Sequence, residues 1–279
     1  MTNPIGWCTK TWNPCTGCAP ISEGCEHCYA ERMAGRNLPH LTNGCGFTPT
    51  FHPERLDKPL HWRKPQRIFV NSMSDLFHEA FTDEQIDMVF AMMQECQHHT
   101  FMILTKRAER MYEYIRGGRN LLTILDANAC ADGRTRCWPL KNVHVGVTAE
   151  NQQRADERIP ILLDTPAAVR FVSVEPMLGP VKLWNRTSSG AFMNLGPVFN
   201  GRGLDWVICG AETGPGARIM QPEWAYSLYL QCKAAGVPFW FKQGSNGVEY
   251  DAEMVATREL PGVDKSESAP VTALGGGKL

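Results

Sequence analysis

Short apolar runs alternate with amphipathic segments over most of the chain. The runs are rich in β-branched and aromatic residues, a composition typical of buried strands. Six of them lie at residues 67–71, 100–105, 143–147, 169–174, 206–209 and 237–241. A first strand is expected around residues 7–12.

Helical patterns separate these runs. Thr82 is expected to be an N-cap with Gln85 as its capping-box partner. The residues that follow fall on one apolar helix face, at Ile86, Val89, Phe90 and Met93. Later helices are expected at 151–163 and from Pro222 to a stop at Gly236.

This alternation predicts an α/β fold whose parallel strands are buried on both faces. We expect a partial (βα) barrel of about six to seven parallel strands, with an open doubly wound sheet as the alternative. Residues 1–246 are predicted to form this single domain. Two long insertions, at 117–141 and 185–203, interrupt the alternation of strands and helices. Residues 247–279 are expected to be a flexible tail.

The composition narrows the class of protein. The 279 residues carry a formal net charge of −1, which argues against a nucleic-acid coat protein but allows a local basic patch. Neither a signal-peptide run nor a membrane span is visible, so a cytoplasmic location is expected. Cytoplasmic thiols stay reduced, so clustered cysteines indicate metal binding or catalysis.

The loop at 11–33 holds four of the eleven cysteines, and two interpretations of it compete. In one, Cys18, Cys25 and Cys28 hold three irons of a four-iron cluster, and the fourth iron stays open for a ligand. In the other, Cys15-x2-Cys18 and Cys25-x2-Cys28 form a closed four-thiolate zinc site.

Polar side chains follow every predicted strand. Because ligands bind at the carboxyl ends of parallel strands, these residues are candidates for a binding site. They are Ser72, Asp75, Lys106, Arg107, Thr148, Glu150, Ser173, Glu175, Glu212, Arg218 and Lys242. Glu175 and Glu212 stand out, since a carboxylate in a turn after an apolar strand must find hydrogen-bond donors.

The cysteine spacing resembles that of the radical S-adenosylmethionine superfamily. The motif Cys18-x6-Cys25-x2-Cys28 opens a chain of βα units, although the usual spacing there is C-x3-C-x2-C. More closely, the chain resembles a phage and bacterial family with this three-cysteine motif, which implies a host cytoplasm if the protein is phage-encoded. The matching phrases are TWNP-x-TGC, GCEHCYAERMA, RIFVNSMSDLFHE, FMILTKRAERM, VGVTAEN, RFVSVEPMLGP, WVICGAETGPGAR and CKAAGVPFWFKQ.

The resemblance implies an enzyme with a [4Fe-4S] cluster, S-adenosylmethionine and an external electron donor. Reductive cleavage of S-adenosylmethionine then gives a 5′-deoxyadenosyl radical. Tyr29 resembles the aromatic residue near the adenine. The further cofactor candidates are Ser72, Asp75, Lys106, Thr148, Glu150, Ser173, Glu175 and Glu212, while Arg107, Arg218 and Lys242 are candidates for substrate anions.

A basic segment at 52–67 suggests the substrate. It carries Arg63 and Lys64 beside Trp62, and basic residues with an interleaved aromatic suit a nucleic-acid strand. A solvated loop with a core tryptophan gives the same pattern. The superfamily analogy favours modification or repair of a nucleic acid or nucleotide. The alternative function is a zinc-ribbon-like nucleic-acid-binding protein with a catalytically silent βα domain.

Overall fold

Eleven strands and six helices lie in the part of the chain that the computed structural model describes, namely residues 5–36, 44–117, 139–183, 185–186, 192–193 and 203–262. The strands are β1 (Lys10–Trp12), β2 (Cys15–Thr16), β3 (Thr50–Phe51), β4 (Arg67–Val70), β5 (Thr100–Thr105), β6 (Val143–Thr148), β7 (Val169–Val174), β8 (Asn185–Arg186), β9 (Phe192–Met193), β10 (Trp206–Gly210) and β11 (Phe239–Gln243). The helices are α1 (Tyr29–Ala34), α2 (Asp83–Glu95), α3 (Ala108–Arg116), α4 (Gln152–Asp164), α5 (Pro222–Ala235) and α6 (Ala252–Ala256). Short 3₁₀ turns lie at Glu23–Cys25, Pro53–Arg55 and Lys58–His61.

Seven parallel strands form one sheet in the order β1-β4-β5-β6-β7-β10-β11. Neighbours in the sheet are therefore neighbours in the sequence, apart from the two small antiparallel pairs β2–β3 and β8–β9. The strand order has no reversal, so the crossovers place the helices on one face and the sheet curls into a half-barrel. The predicted α/β partial barrel is confirmed, and the doubly wound alternative is wrong because it needs such a reversal.

Local signals determine where the helices begin and end. Thr82 and Gln85 form the expected capping box at the start of α2. Pro222 opens α5, and Gly236 ends it with φ +68°, a left-handed conformation that suits glycine. Strand β11 begins at Phe239 instead of 237, since Pro238 has no N–H to give to the sheet.

The two faces of the sheet belong to two separate apolar clusters. The outer cluster joins strand residues such as Ile68 and Phe101 to helix residues such as Val89. The inner cluster fills the lower half of the barrel and is dominated by aromatic rings, at Trp7, Phe69, Phe171, Trp206 and Trp240. Trp7 precedes β1 and turns inward, so the first strand is shorter than expected. The barrel is thus closed at its amino end and open at its carboxyl end, which we call the mouth.

The first part of the expected tail packs on the domain. Met254 of α6 is fully buried, and Trp206 Nε1 donates a hydrogen bond to the Glu259 carbonyl at 2.8 Å. Most of insertion 117–141 lies outside the described residues. None of the described helices has the length and apolar character that spanning a bilayer requires.

Candidate functional site

The cysteine loop lies over the mouth of the barrel. Its start is joined to the loop after β4, because Gly17 forms a parallel bridge with Ser74. Further along, the Cys28 N–H donates to the Cys25 carbonyl at 3.2 Å. This bond keeps Cys25 and Cys28 close along the loop, and the charge of Cys25 is near enough to Cys18 to contribute to the pKa of Cys18.

Cys15 differs from the other three cysteines of the loop. Its side chain is 1% exposed and belongs to the outer core cluster, whereas Cys18, Cys25 and Cys28 are partly exposed. Burial raises the pKa of the Cys15 thiol to about 12. In strand β2 its N–H donates to Asn71 Oδ1 at 3.1 Å. Cys15 is packed as a core residue, and the remaining three thiols form a separate set.

The thiols of the loop can be compared with what an iron–sulfur cluster and a zinc site each require. Within the described residues, no three His, Cys, Asp or Glu side chains gather closely enough to hold one metal ion. A closed zinc site needs four ligands around one ion. A four-iron cluster is larger and spreads its thiolates over separate irons. Three part-exposed thiols on one loop are a set that a four-iron cluster can use, whereas the closed zinc site would need the buried Cys15 as its fourth ligand.

Arg107 and Asp75 support the loop at Cys18. Asp75 accepts hydrogen bonds from Thr105 Oγ1 at 2.7 Å and from the Lys106 N–H at 3.0 Å. Arg107 Nη1 lies 3.4 Å from Asp75 Oδ2 and 3.6 Å from Cys18 Sγ. Burial and the nearby Asp75 carboxylate raise the pKa of Cys18 to about 11, and Arg107 opposes this rise.

Glu150 holds the middle of the loop. Its carboxylate is fully buried and accepts from Ser22 Oγ at 2.6 Å and from Arg158 Nη1 at 2.8 Å. Lys106 Nζ lies 3.9 Å away. Ser22 Oγ is also 3.8 Å from Cys25 Sγ. A Cβ at Gly24 would lie 2.4 Å from Glu150 Oε1, so the loop can approach this closely only with glycine there.

Glu212 holds the other side of the loop. It accepts from Arg218 Nη2 at 2.6 Å and contacts His27 Nδ1 at 2.9 Å. Arg218 also reaches back to Glu26 at 2.8 Å and to the Glu23 carbonyl at 3.0 Å. Burial raises the pKa of Glu212, but these hydrogen bonds outweigh burial and lower it to about 2. Arg218 therefore connects β10 to the residues between the cysteines.

An ion pair lies at the carboxyl ends of β7 and β11. Lys242 of β11 donates to Glu175 Oε1, and Gln243 Nε2 donates to the same oxygen at 3.1 Å. A Cβ at Gly210 would lie 3.0 Å from Gln243 Nε2, so glycine leaves room for this contact. Both charged side chains keep one fifth of their surface exposed, which leaves them accessible from the mouth.

The floor of the mouth carries two hydroxyl residues. Thr148 and Ser173 are adjacent in the β6–β7 register, on the face that Phe171 shares. Ser173 is 1% exposed, and its Oγ has no hydrogen-bond partner among the described residues. A buried hydroxyl without a partner costs free energy, so it marks a position where a bound molecule can accept or donate.

Tyr29 and Ser72 meet at the edge of the mouth. The Tyr29 hydroxyl donates to the Ser72 carbonyl, while the tyrosine side chain stays 43% exposed. Ser72 Oγ donates to Asn13 Oδ1 at 3.2 Å.

Two predicted substrate residues lie elsewhere. Arg63 and Lys64 are exposed and precede β4, so they lie at the closed amino end of the barrel, away from the cysteine loop. Trp62 packs against the core. Four further residues contact the loop or its supports without a signal in the sequence pattern, namely Ser22, His27, Arg154 and Arg158, although the first two lie inside the cysteine motif. The two arginines belong to α4, and only the folded chain brings them near the loop.

The fold and the loop define an α/β partial-barrel protein with three part-exposed thiols over the carboxyl ends of its strands. The chain belongs to the family described as "Protein of unknown function (DUF5131)", whose model matches residues 2–268. A search of curated proteins finds no match.

Two solved structures of spore photoproduct lyase are similar to this chain, one in complex with dinucleoside spore photoproduct and one a mutant with the same molecule. Each is 11% identical over 83% of this chain and 75% of the other, with TM-scores of 0.41 and 0.39. At these values neither likeness bears on function.

Proposed function

We propose that this protein is an iron–sulfur enzyme of the radical S-adenosylmethionine type. One observation carries the proposal: Cys18, Cys25 and Cys28 stay part-exposed on one loop over the mouth, while Cys15 is buried in the core. Three thiolates leave one iron of a four-iron cluster without a protein ligand. With S-adenosylmethionine bound there, the cluster supplies the electron that yields a 5′-deoxyadenosyl radical.

The residues around the loop have separate tasks in this proposal. Glu150 and Glu212 keep the loop in place from two sides, since nearly all their surface is buried against protein donors. Ser173 and the Glu175–Lys242 pair are the better candidates for the ribose and methionine groups. Ser173 has an unused hydroxyl, and the pair is accessible from the mouth. The aromatic floor below them excludes water.

A nucleic acid or nucleotide is the proposed substrate. Tyr29 at the edge of the mouth is part-exposed, so its ring can stack on an adenine, as the resemblance implies for S-adenosylmethionine, or on a substrate base. Arg218 and Lys242 are already paired with carboxylates, so the mouth as a whole is not strongly basic. This favours contact with a single base or nucleoside over a tract of phosphates.

The experiment is anaerobic reconstitution with iron and sulfide, followed by iron and sulfide assays. Added S-adenosylmethionine and dithionite should then yield 5′-deoxyadenosine. Cys18→Ala, Cys25→Ala and Cys28→Ala should each lose most of the iron, because each removes a ligand. Cys15→Ala is the matched control and should keep it.

The zinc alternative makes the opposite prediction. There Cys15→Ala loses metal as fully as Cys18→Ala, and zinc is the metal found. A wild-type protein with bound zinc and without iron after anaerobic reconstitution would overturn the proposed function.

A further inference from the structure

The guanidinium of Arg107 is fully engaged by the protein. Nε contacts the Glu79 carboxylate at 3.1 Å, and Nη2 donates to the Ala19 carbonyl at 3.1 Å. Nη1 is shared between Asp75 Oδ2 at 3.4 Å and Cys18 Sγ at 3.6 Å. The side chain is 5% exposed. Arg107 therefore has little capacity left for a substrate anion.

The same guanidinium touches the backbone and the sulfur of the cysteine loop together. Ala19 directly follows Cys18, so Nη2 holds the Ala19 peptide while Nη1 contacts the neighbouring Cys18 thiol. A planar fork suits such a two-point contact, whereas an ammonium group does not. The position of Cys18 Sγ thus depends on an arginine that lies between β5 and α3, at the N-cap of the helix.

The other arginines that hold the loop make a different contact. Arg154 binds the Glu23 carboxylate at 3.0 Å, and Arg218 binds Glu26 and the Glu23 carbonyl. Among the residues that the structure describes, neither Arg154 nor Arg218 donates a hydrogen bond to a cysteine sulfur. Arg107 is the arginine that places a positive charge and an N–H on a candidate cluster ligand.

We propose that Arg107 is a positioning residue that fixes Cys18 and raises the reduction potential of the cluster. The inference rests on the proposed function. A hydrogen bond and a positive charge at a ligand sulfur stabilise the reduced cluster, which carries one more negative charge than the oxidised one. Arg107 therefore makes the one-electron reduction that starts the reaction easier.

The test is a redox titration of the reconstituted protein with dithionite, followed by the EPR signal of the reduced cluster. Arg107→Gln removes the charge and the fork. At a fixed potential, the ratio of reduced to oxidised cluster should fall about tenfold. For one electron this is a decrease of about 59 mV in the midpoint potential of the cluster. Arg154→Gln is the matched control, because it loosens the same loop without touching a sulfur. Its midpoint should stay at the wild-type value.

Each result decides the inference. A lower midpoint potential in Arg107→Gln that Arg154→Gln lacks supports the inference, and equal midpoints or equal shifts in the two variants overturn it.

If Arg107→Gln does not fold, Arg107→Lys provides the test, since it keeps the charge but loses the planar fork. A lower midpoint than wild type supports the inference, and an unchanged midpoint overturns it. A wild-type protein without a cluster overturns both proposals, whereas a wild-type cluster insensitive to Arg107 overturns this one alone.

Discussion

Ser22 Oγ donates a 2.6 Å hydrogen bond to Glu150, although 128 positions separate the two residues in the chain. Ser22 belongs to the cysteine loop, and Glu150 follows β6 at the mouth. The carboxylate is fully buried, and Arg158 neutralises its charge at 2.8 Å. Ser22 therefore attaches the loop to a buried ion pair of the barrel, in addition to the partly exposed contacts that Arg154 and Arg218 make with Glu23 and Glu26.

Glu150→Gln should destabilise the folded protein by about 3–5 kcal/mol, since it leaves Arg158 buried without its counter-charge. Urea unfolding at neutral pH measures the loss. Glu157→Gln is the matched control, because Glu157 pairs with Arg154 at 2.7 Å on an exposed surface. Such pairs are worth about 0–1 kcal/mol. Equal losses in the two variants would contradict the role given to Glu150.

Glu212 should make stability depend on pH in the acid range. Its pKa in the folded state is about 2, below the ordinary 4.5, because hydrogen bonds from Arg218 and His27 outweigh burial. A lowered pKa stabilises the fold above pH 4.5, and this contribution is lost as pH falls from 4.5 towards 2. At about 1.4 kcal/mol per unit, it amounts to about 3 kcal/mol.

Urea unfolding at several pH values between 2 and 7 tests this dependence. Glu212→Gln should be less stable than wild type at neutral pH, and the difference should shrink as the pH is lowered. Glu109→Gln, an exposed position on α3, serves as the control and should follow the wild-type curve. A constant difference between Glu212→Gln and wild type at every pH would argue against the lowered pKa.

Gly146→Ala should destabilise the barrel by about 1–3 kcal/mol, as overpacking of a core does. The new Cβ would lie 2.6 Å from the Phe171 ring, which occupies the space inside β6. Thermal unfolding followed by circular dichroism measures the effect. At Gly179 the nearest atom is 3.6 Å from a new Cβ, so Gly179→Ala should be close to neutral.

Met254→Ala should cost about 2–5 kcal/mol of stability, because the side chain is fully buried between α6 and the sheet. Chemical denaturation gives the value. The neighbouring Val255 is 37% exposed, so Val255→Ala should lose less than about 1 kcal/mol. If both variants unfold like the wild type, α6 is not part of the cooperative unit.

Local patterns were sufficient for most elements of the fold. Strands β5 and β7 have the predicted bounds, and the capping box at Thr82 and the stop at Gly236 are as expected. These features depend on side chains within a few residues of each other, so the sequence displays them directly. The tail was harder, because the burial of Met254 depends on strand β11 and not on its own neighbours.

The candidate site likewise has features that the sequence shows and features that it does not show. Periodicity and strand polarity are local properties, so the order of the amino acids was enough to predict parallel βα units and the polar residues that follow their strands. The burial of Cys15 apart from Cys18 and the contact of Arg107 with the Cys18 sulfur became visible only in the folded chain. These contacts join residues that are far apart in the chain. They depend on how the strands curl into a barrel, and the spacing of residues along the chain does not encode that curvature.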